Sequence, residues 1–391
     1  MIARLKNRYE RRNPVMLIAM GCIDLFCWLI SRLLRWAPVE PSRPIAIRKI
    51  LLINPAHMGD VVISTAAIRR VKQWDPSIKV GFVTGSWAKD VLYTHPGVDD
   101  LYIVDHWRLN RSSQSWLWKW CQYLKTWFQV QRVLVRASYD VAILLNGFSP
   151  NLAALVWSSR IPIRGGYVSA GLSTLLNVVL AKPVSSISEQ AIQLRLLDEI
   201  GIHGVSEAWL PATLLIRERK EELGVRDSYV VLHPGTGNPA KMWALDHWQE
   251  VARLLGERGA QIIVTGHGER EKQLAEQIIL ASDGLNLVGR LKWSDWLAIL
   301  SEASVVVGVD SVVGHVCTAI GVPFVGVYSG VGSASRWAPV GKKVRVLTKT
   351  MACSPCHTKP CVERPCIMSV SSFSVITAVN ELFGKNNVHS L

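Results

Sequence analysis

Four places in the 391-residue chain combine residue types and spacing that could do chemistry. The first is Asp60, in the stretch KILLINPAHMGDVVISTAAIRR from Lys49 to Arg70. A run of buried-strand residues, Ile50 to Ile53, breaks at Asn54-Pro55, and helical spacing resumes after Gly59-Asp60. A carboxylate at a helix start, at the carboxyl edge of a parallel strand, lies where open α/β folds bind ligands. The positive end of the helix dipole would lower its pKa, and the ionised group could accept a proton from a hydroxyl. A plain helix cap is the competing interpretation, and His57, Met58 and Gly59 are equally consistent with loop packing. The second place is His233-Pro234-Gly235-Thr236-Gly237 followed by Lys241 and Trp243, a glycine-rich loop with a nearby cation and so a phosphate site in outline. The third is Gly266-His267-Gly268-Glu269, where a carboxylate directly after a strand could hold a ribose. The fourth runs from Val305 to Gly330: Asp310 ends a strand, a helix begins near Ser311, and His315 lies one turn inside it. Backbone N–H groups at such a helix start suit a diphosphate. Taken alone, His315 would also fit as a core histidine.

Of eight cysteines, Cys22, Cys27, Cys121 and Cys317 are scattered in apolar settings and read as core or membrane residues. Cys353, Cys356, Cys361 and Cys366 form C-x2-C-x4-C-x4-C with His357 beside them, a spacing that suits a four-thiolate structural zinc or iron site. Reduced unligated thiols and disulfides are the alternatives. No Asp-x-Asp pair occurs in the chain, so the sequence does not indicate a catalytic divalent metal on a sugar diphosphate.

The elements that must position these groups alternate. Strand patterns at Lys79–Thr84, Leu101–Val104 and Asp140–Leu145 follow the first, with helical stretches between them. A second series runs Tyr229–His233, Gln261–Thr265, Ser304–Val309, Val322–Tyr328 and Val344–Thr348, with helices such as Asp246–Arg258 and Ser372–Phe383. Two βαβ series imply two doubly wound parallel sheets, facing a cleft in which ligands should sit. The domains expected are 1–45, a membrane-associating segment and linker; 46–210; and 211–391.

Charge placement supports the first of these. The formal net charge is +14. Residues 1–50 carry ten Lys and Arg against Glu10, Asp24 and Glu40, so half of that excess lies in about an eighth of the chain. No nucleic-acid motif accompanies the charge, which favours an anionic membrane surface as partner over nucleic acid. Pro14 to Ile30 is apolar except for Asp24, which would cost roughly 2.5–3.5 kcal/mol at the centre of a spanning helix. We read an interfacial amphipathic anchor with Trp28 and Trp36 at headgroup depth; a spanning helix and an uncleaved signal are the alternatives. The stretch Trp107–Ser138 combines Trp107, Trp116, Trp118, Trp120 and Trp127 with six Lys and Arg and no acidic residue. It is either an ordinary cover helix or a second membrane- or acceptor-facing surface.

Together these stretches resemble a known family. MGDVVISTAAIRR is similar to the opening signature of glycosyltransferase family 9, the heptosyltransferases of lipopolysaccharide core assembly. HPGTGNPAKMW and DSVVGHVCTAIGVPFVGVYSG resemble its two donor-domain signatures, in order, over roughly residues 48–385. The resemblance implies a GT-B fold, with an N-terminal acceptor domain and a C-terminal nucleotide-sugar domain. It implies inverting transfer of a heptose-like sugar from an ADP-sugar to a lipopolysaccharide core or related lipid-linked acceptor, at the cytoplasmic face of the inner membrane, with no cofactor for catalysis. Asp60 falls on the family's catalytic base and Lys241 on its donor-phosphate lysine. Asp310, Ser311 and His315 fall on the sugar and diphosphate site, with Thr236 and Gly314 completing the donor-binding set and Glu269 a looser match to the ribose acid. Val312 stands where the family usually has glycine two residues after the aspartate, leaving less room for backbone to approach a phosphate. A GT-B sugar-nucleotide epimerase, which would isomerise the donor without transfer, and a catalytically silent membrane-bound scaffold, which would not bind the donor, are the competing readings.

Overall fold

Ile50, Leu51, Leu52 and Ile53 are all removed from solvent, which requires a strand covered on both faces. In the computed structural model, which describes residues 14–33, 46–146, 151–168, 172–181, 187–354, 356 and 361–383, that strand lies inside a six-stranded sheet. Its strands are β1 (Lys49–Ile53), β2 (Lys79–Thr84), β3 (Asp100–Ile103), β4 (Val141–Leu144), β5 (Ile163–Tyr167) and β6 (Val178–Leu180). All pairings are parallel and the order is β3-β2-β1-β4-β5-β6. Ile50 pairs with Val80 on one side and Val141 on the other, so β1 sits at the point where strand order reverses.

The second sheet repeats this plan. Its strands are β7 (Tyr229–His233), β8 (Gln261–Val264), β9 (Gly284–Asn286), β10 (Val305–Val309), β11 (Phe324–Tyr328) and β12 (Val344–Thr348). The order β12-β11-β10-β7-β8-β9 is again parallel throughout, with the reversal between β7 and β10. The chain divides into two compact units between Ala208 and Trp209, one for each sheet. Each unit is a Rossmann-like doubly wound domain, the pair that makes up a GT-B protein.

Strands β5, β6 and β9 were not expected from the sequence. The outermost pair, β6 and β9, are three residues each, too short for a strand pattern to stand out, and in β5 Gly165 and Gly166 interrupt the apolar run. Gly165 is required by packing, because a Cβ there would lie 2.7 Å from Ile143 Cδ1.

The helix following β1, Met58–Trp74, is buried along most of its length, from Val61 to Ile68 and again at Arg70 and Val71. It is tied to the Glu189–Asp198 helix by polar contacts: Arg70 Nη1 donates to the Leu194 carbonyl at 3.0 Å and pairs with Asp198 Oδ1 at 2.8 Å.

The N-terminal helix spans Pro14–Leu33. Among the described residues no helix is long and apolar enough to cross a membrane. Asp24, the one charged residue of the expected anchor's apolar run, is buried, and Ser173 Oγ donates to its Oδ2 at 3.4 Å. The Trp28 side chain, Trp36 and residues 1–13 and 34–45 of the expected anchor lie outside what is described.

Candidate active site

In the first unit the loop after β1 is held rigidly. Asn54 Nδ2 donates to the Asp60 carbonyl at 3.2 Å and to Ser64 Oγ at 2.8 Å, while Asn54 Oδ1 accepts from the Ala56 N–H. Trp87 Nε1 donates to the Ala56 carbonyl at 2.7 Å. His57 is the N-cap of the Met58–Trp74 helix, which makes Asp60 its third residue, and Asp60 Oδ2 reaches back to accept the His57 N–H at 3.1 Å. Asp60 is therefore a cap. It is also more than that.

Its electrostatics reverse the sequence expectation. Desolvation, followed by the nearby Glu189 carboxylate, pushes the Asp60 pKa up to about 7. The His57 N–H and the Arg111 guanidinium pull the other way and are outweighed. A helix-start carboxylate in water would be acidified; this one is desolvated by burial and lies near a second acid, so it becomes a competent base near neutrality. His57, against the Arg111 guanidinium with Nη2 at 2.9 Å from its Nε2, is lowered to about 4 by burial and by Arg111. At neutral pH it is an uncharged imidazole whose Nε2 accepts from Arg111.

The second unit gathers most of its expected residues at the ends of β7 and β10. Asn238 caps a single turn, Pro239–Lys241, which holds Lys241 in place. Lys241 Nζ sits 2.6 Å from Asp310 Oδ2. Thr236 Oγ1 is 3.5 Å from the Asp310 carbonyl and 3.4 Å from the Asn238 N–H. Burial raises Asp310 while Lys241 opposes it. Burial and then Lys241 lower His315 to about 4, so it is neutral at pH 7. Ser311 Oγ is buried with no protein hydrogen-bond partner among the described residues, and so is Tyr328 Oη at the end of β11, whose pKa burial and then Asp310 raise. A buried hydroxyl without a partner is costly unless a ligand or water supplies one.

Two expected residues are placed differently. Gly314 is a packing glycine: a Cβ there would lie 2.8 Å from Phe324 Cε1 and 3.1 Å from Pro339 Cγ. Glu269 is exposed at the start of the Glu269–Ile279 helix, whereas Glu271, two residues on, lies over the loops. Glu271 Oε2 accepts the His267 N–H at 2.7 Å. A Cβ on Gly235 would come 2.1 Å from that same oxygen, and one on Gly266 2.4 Å. Both glycines are thus needed to let this carboxylate lie across the ends of β7 and β8.

Arg111, Glu189 and Glu271 are the residues that sequence reading missed. Only Glu271 left a local signal: it is the third residue of its helix, the position from which a glutamate folds back over the preceding loop.

The four clustered cysteines do not form the expected thiolate site. Cys356 and Cys366 are buried on either side of Gly330, whose N–H donates to Cys366 Sγ at 3.2 Å and whose carbonyl accepts from the Cys356 N–H at 2.6 Å. Cys353 is exposed and Cys361 half-buried. Among the described residues no three His, Cys, Asp or Glu side chains lie together as ligands. The Cys366 thiol and the Cys356 backbone N–H instead hold the Gly330 loop, one on each side of it. The expected neighbour His357 lies outside the described residues.

Comparison with known proteins agrees with this fold. The lipopolysaccharide heptosyltransferase 1 of Pseudomonas aeruginosa is 22% identical over 329 residues, spanning 80% of this chain and 87% of its own. Among solved structures, a family 9 glycosyltransferase from Veillonella parvula superposes with a TM-score of 0.72 at 17% identity, covering 88% of this chain and 99% of that one. The E. coli ADP-heptose lipopolysaccharide heptosyltransferase II does so with a TM-score of 0.67 at 19% identity, covering 85% and 98%. Residues 127–367 match glycosyltransferase family 9 (heptosyltransferase), more than half of the chain, and the protein therefore belongs to that family of glycosyltransferases.

Proposed function

We propose that this enzyme is an inverting transferase that moves a heptose-like sugar from an ADP-sugar to a lipopolysaccharide core or related lipid-linked acceptor, at the cytoplasmic face of the inner membrane. The observation that carries the reading is Asp60: a fixed carboxylate, at the strand-order reversal of the first unit, with a pKa near 7. In this reading the first unit takes the acceptor and the second the donor.

Asp60 accepts the proton of the acceptor hydroxyl as its oxygen bonds to the anomeric carbon. The bond from that carbon to the diphosphate oxygen breaks, and its electron pair leaves with ADP. Attack opposite the leaving group inverts the anomeric centre. Lys241 and the helix start at Ser311 stabilise the charge that develops on the diphosphate. Lys241 is already paired with Asp310, so the cation is positioned before the donor arrives. The Asp310 carboxylate is then available to a sugar hydroxyl, Ser311 Oγ and Thr236 Oγ1 to phosphate oxygens, and neutral His315 can donate a hydrogen bond without adding charge. Glu271, rather than Glu269, is the carboxylate we assign to the ribose, because it lies over the strand-end loops. Val312 takes its place at the helix start with its backbone N–H, the only group a phosphate needs from that position.

The family assignment disfavours the epimerase reading. Incubating the protein with ADP-heptose and truncated lipopolysaccharide tests the proposal directly. The acceptor should gain one heptose by mass, with the anomeric configuration opposite to the donor's by NMR. Donor isomerised in the absence of acceptor, with no mass gain, would refute it.

A further inference from the structure

Two helices of the first unit turn apolar stripes outward. On the Pro14–Leu33 helix the acidic residue Asp24 is buried at 4% exposure, while Leu25 and Phe26 are 58% and 62% exposed. Ile18, Cys22, Leu25 and Leu29 recur at helical spacing on one stripe, with Asp24 on the opposite side. On the Trp116–Ala137 helix, Tyr123, Thr126, Val130 and Leu134 face the core. The outer stripe is Leu117, Cys121, Leu124, Phe128 and Val135, all exposed, and Lys125, Arg132 and Arg136 flank it on one side.

The two helices that carry these stripes are joined through packed elements of the unit. The Trp116–Ala137 helix packs on the Asn151–Ser158 helix, where Gln131 Nε2 donates to the Ser158 carbonyl at 3.1 Å and Asn151 bonds Tyr123 Oη. That helix in turn packs on the Ser173–Leu175 turn, which carries the Pro14–Leu33 helix through Asp24. The crossovers β3 to β4 and β4 to β5 put both covering helices on the same face of the sheet.

We propose that this composite face is the surface by which the enzyme lies on an anionic lipid bilayer, with both helices in the interface plane. Charge complementarity selects this occupant. From His106 to Ser138 there are six Lys and Arg and no acid, so a second copy of the same face would set cations against cations. Exposed Trp116 and Trp118 beside those cations match the headgroup region, and leucine and phenylalanine stripes match the acyl boundary below it. The loop leading into this helix carries Arg111, which contacts His57 next to Asp60, so a headgroup-level surface is joined to the carboxylate that must meet a lipid-linked hydroxyl. The inference deepens the proposed membrane location, resting on that reading only for where the acceptor arrives.

Cosedimentation of the full-length protein with vesicles tests it apart from any sugar transfer. Vesicles of phosphatidylethanolamine and phosphatidylglycerol should bind the protein, vesicles of phosphatidylcholine much less, and added salt should weaken binding. Leu124→Glu with Phe128→Glu, and separately Leu25→Glu with Leu29→Glu, should each lower the partition coefficient about tenfold. Lys125→Glu with Arg132→Glu should abolish the preference for phosphatidylglycerol. Transfer to a water-soluble acceptor analogue should be unchanged in all three, which separates this inference from the catalytic one. Where glutamates disturb the fold, Leu124→Gln with Phe128→Gln replaces them. Unchanged vesicle binding in either apolar pair overturns the composite face. Loss of self-association in sedimentation velocity, with vesicle binding unchanged, would assign it instead to a second copy.

Discussion

The two units share one sheet order and place opposite chemistry at its reversal. After β1 the first unit puts a single carboxylate, desolvated and near a second acid, so that its proton affinity rises to about 7. After β7 and β10 the second unit puts a cation against a carboxylate at 2.6 Å, with a neutral histidine and an unpartnered hydroxyl beside them. The same backbone device serves both: a carboxylate at the third helical residue folds back onto a loop N–H, Asp60 onto His57 and Glu271 onto His267. What differs is what surrounds it. Near Asp60 the crowding group is an acid, which makes a proton acceptor; around Lys241 the nearest partner is its counter-ion, which fixes a charge in position. The fold supplies the address and the neighbours decide the chemistry.

Breaking each unit separately should give unlike kinetic losses. Asp60→Asn is isosteric and removes the base, so kcat should fall by about a thousandfold while donor affinity stays within a few-fold. If donor titration collapses as well, Asp60 serves only to hold the loop. Lys241→Ala should do the converse, weakening donor binding by about tenfold to a hundredfold in calorimetric titration, because it removes one partner of a part-buried pair and leaves Asp310 uncompensated. Donor affinity unchanged by that substitution would remove Lys241 from the site.

Much of this was legible in the sequence, for reasons that particular residues make clear. Central strands such as Ile50–Ile53 and Val305–Val309 announce themselves, because burial on both faces demands unbroken apolar runs. Asp60, Lys241, Asp310 and His315 were singled out because each sits a few residues beyond such a strand. The sign of the Asp60 shift was not legible, since it depends on Glu189, 129 residues away and at the start of another helix. The burial of Asp24 was not legible either, because the helical period of Pro14–Leu33 cannot say which face meets the protein. The cysteine spacing suggested an ion, but spacing along the chain does not fix where thiols point.

The Glu189 effect gives a smaller and more diagnostic test. Asp60 must be ionised to accept a proton, so kcat/KM should rise with pH through about 7. Glu189→Gln removes the like charge, lowers the Asp60 pKa and should move that rise about one pH unit toward acid. His57 and Arg111 are the other titratable or charged groups named around Asp60, and both are intact in the variant. The linkage has a definite sign. With a folded pKa above its unfolded value, Asp60 contributes stability at low pH that is lost as pH rises through about 7. Asp60→Asn should therefore raise Tm at pH 8 relative to wild type more than at pH 5. A profile unmoved by Glu189→Gln would show that desolvation alone tunes the base.

The smallest expected effect separates two glutamates on one helix. Glu269 is exposed at its first position and Glu271 lies across the ends of β7 and β8, half-buried and with its pKa raised by that burial. A ribose offers two hydroxyls, and a carboxylate that accepts both is worth one or two charge-assisted hydrogen bonds. The Glu271 carboxylate already accepts from the His267 N–H, so part of its capacity is committed before the nucleotide arrives. Glu271→Gln keeps the shape and weakens acceptance, and should loosen ADP about fivefold; Glu269→Gln should leave ADP affinity unchanged. Gly235→Ala provides an independent check on the same geometry. Its methyl would meet the Glu271 carboxylate at 2.1 Å, so the side chain must swing aside and ADP binding should fall as it does in Glu271→Gln. In the double variant the two losses should not add, because both remove the same carboxylate from the same place. Additive losses would mean that Gly235 acts through the phosphate loop and not through Glu271.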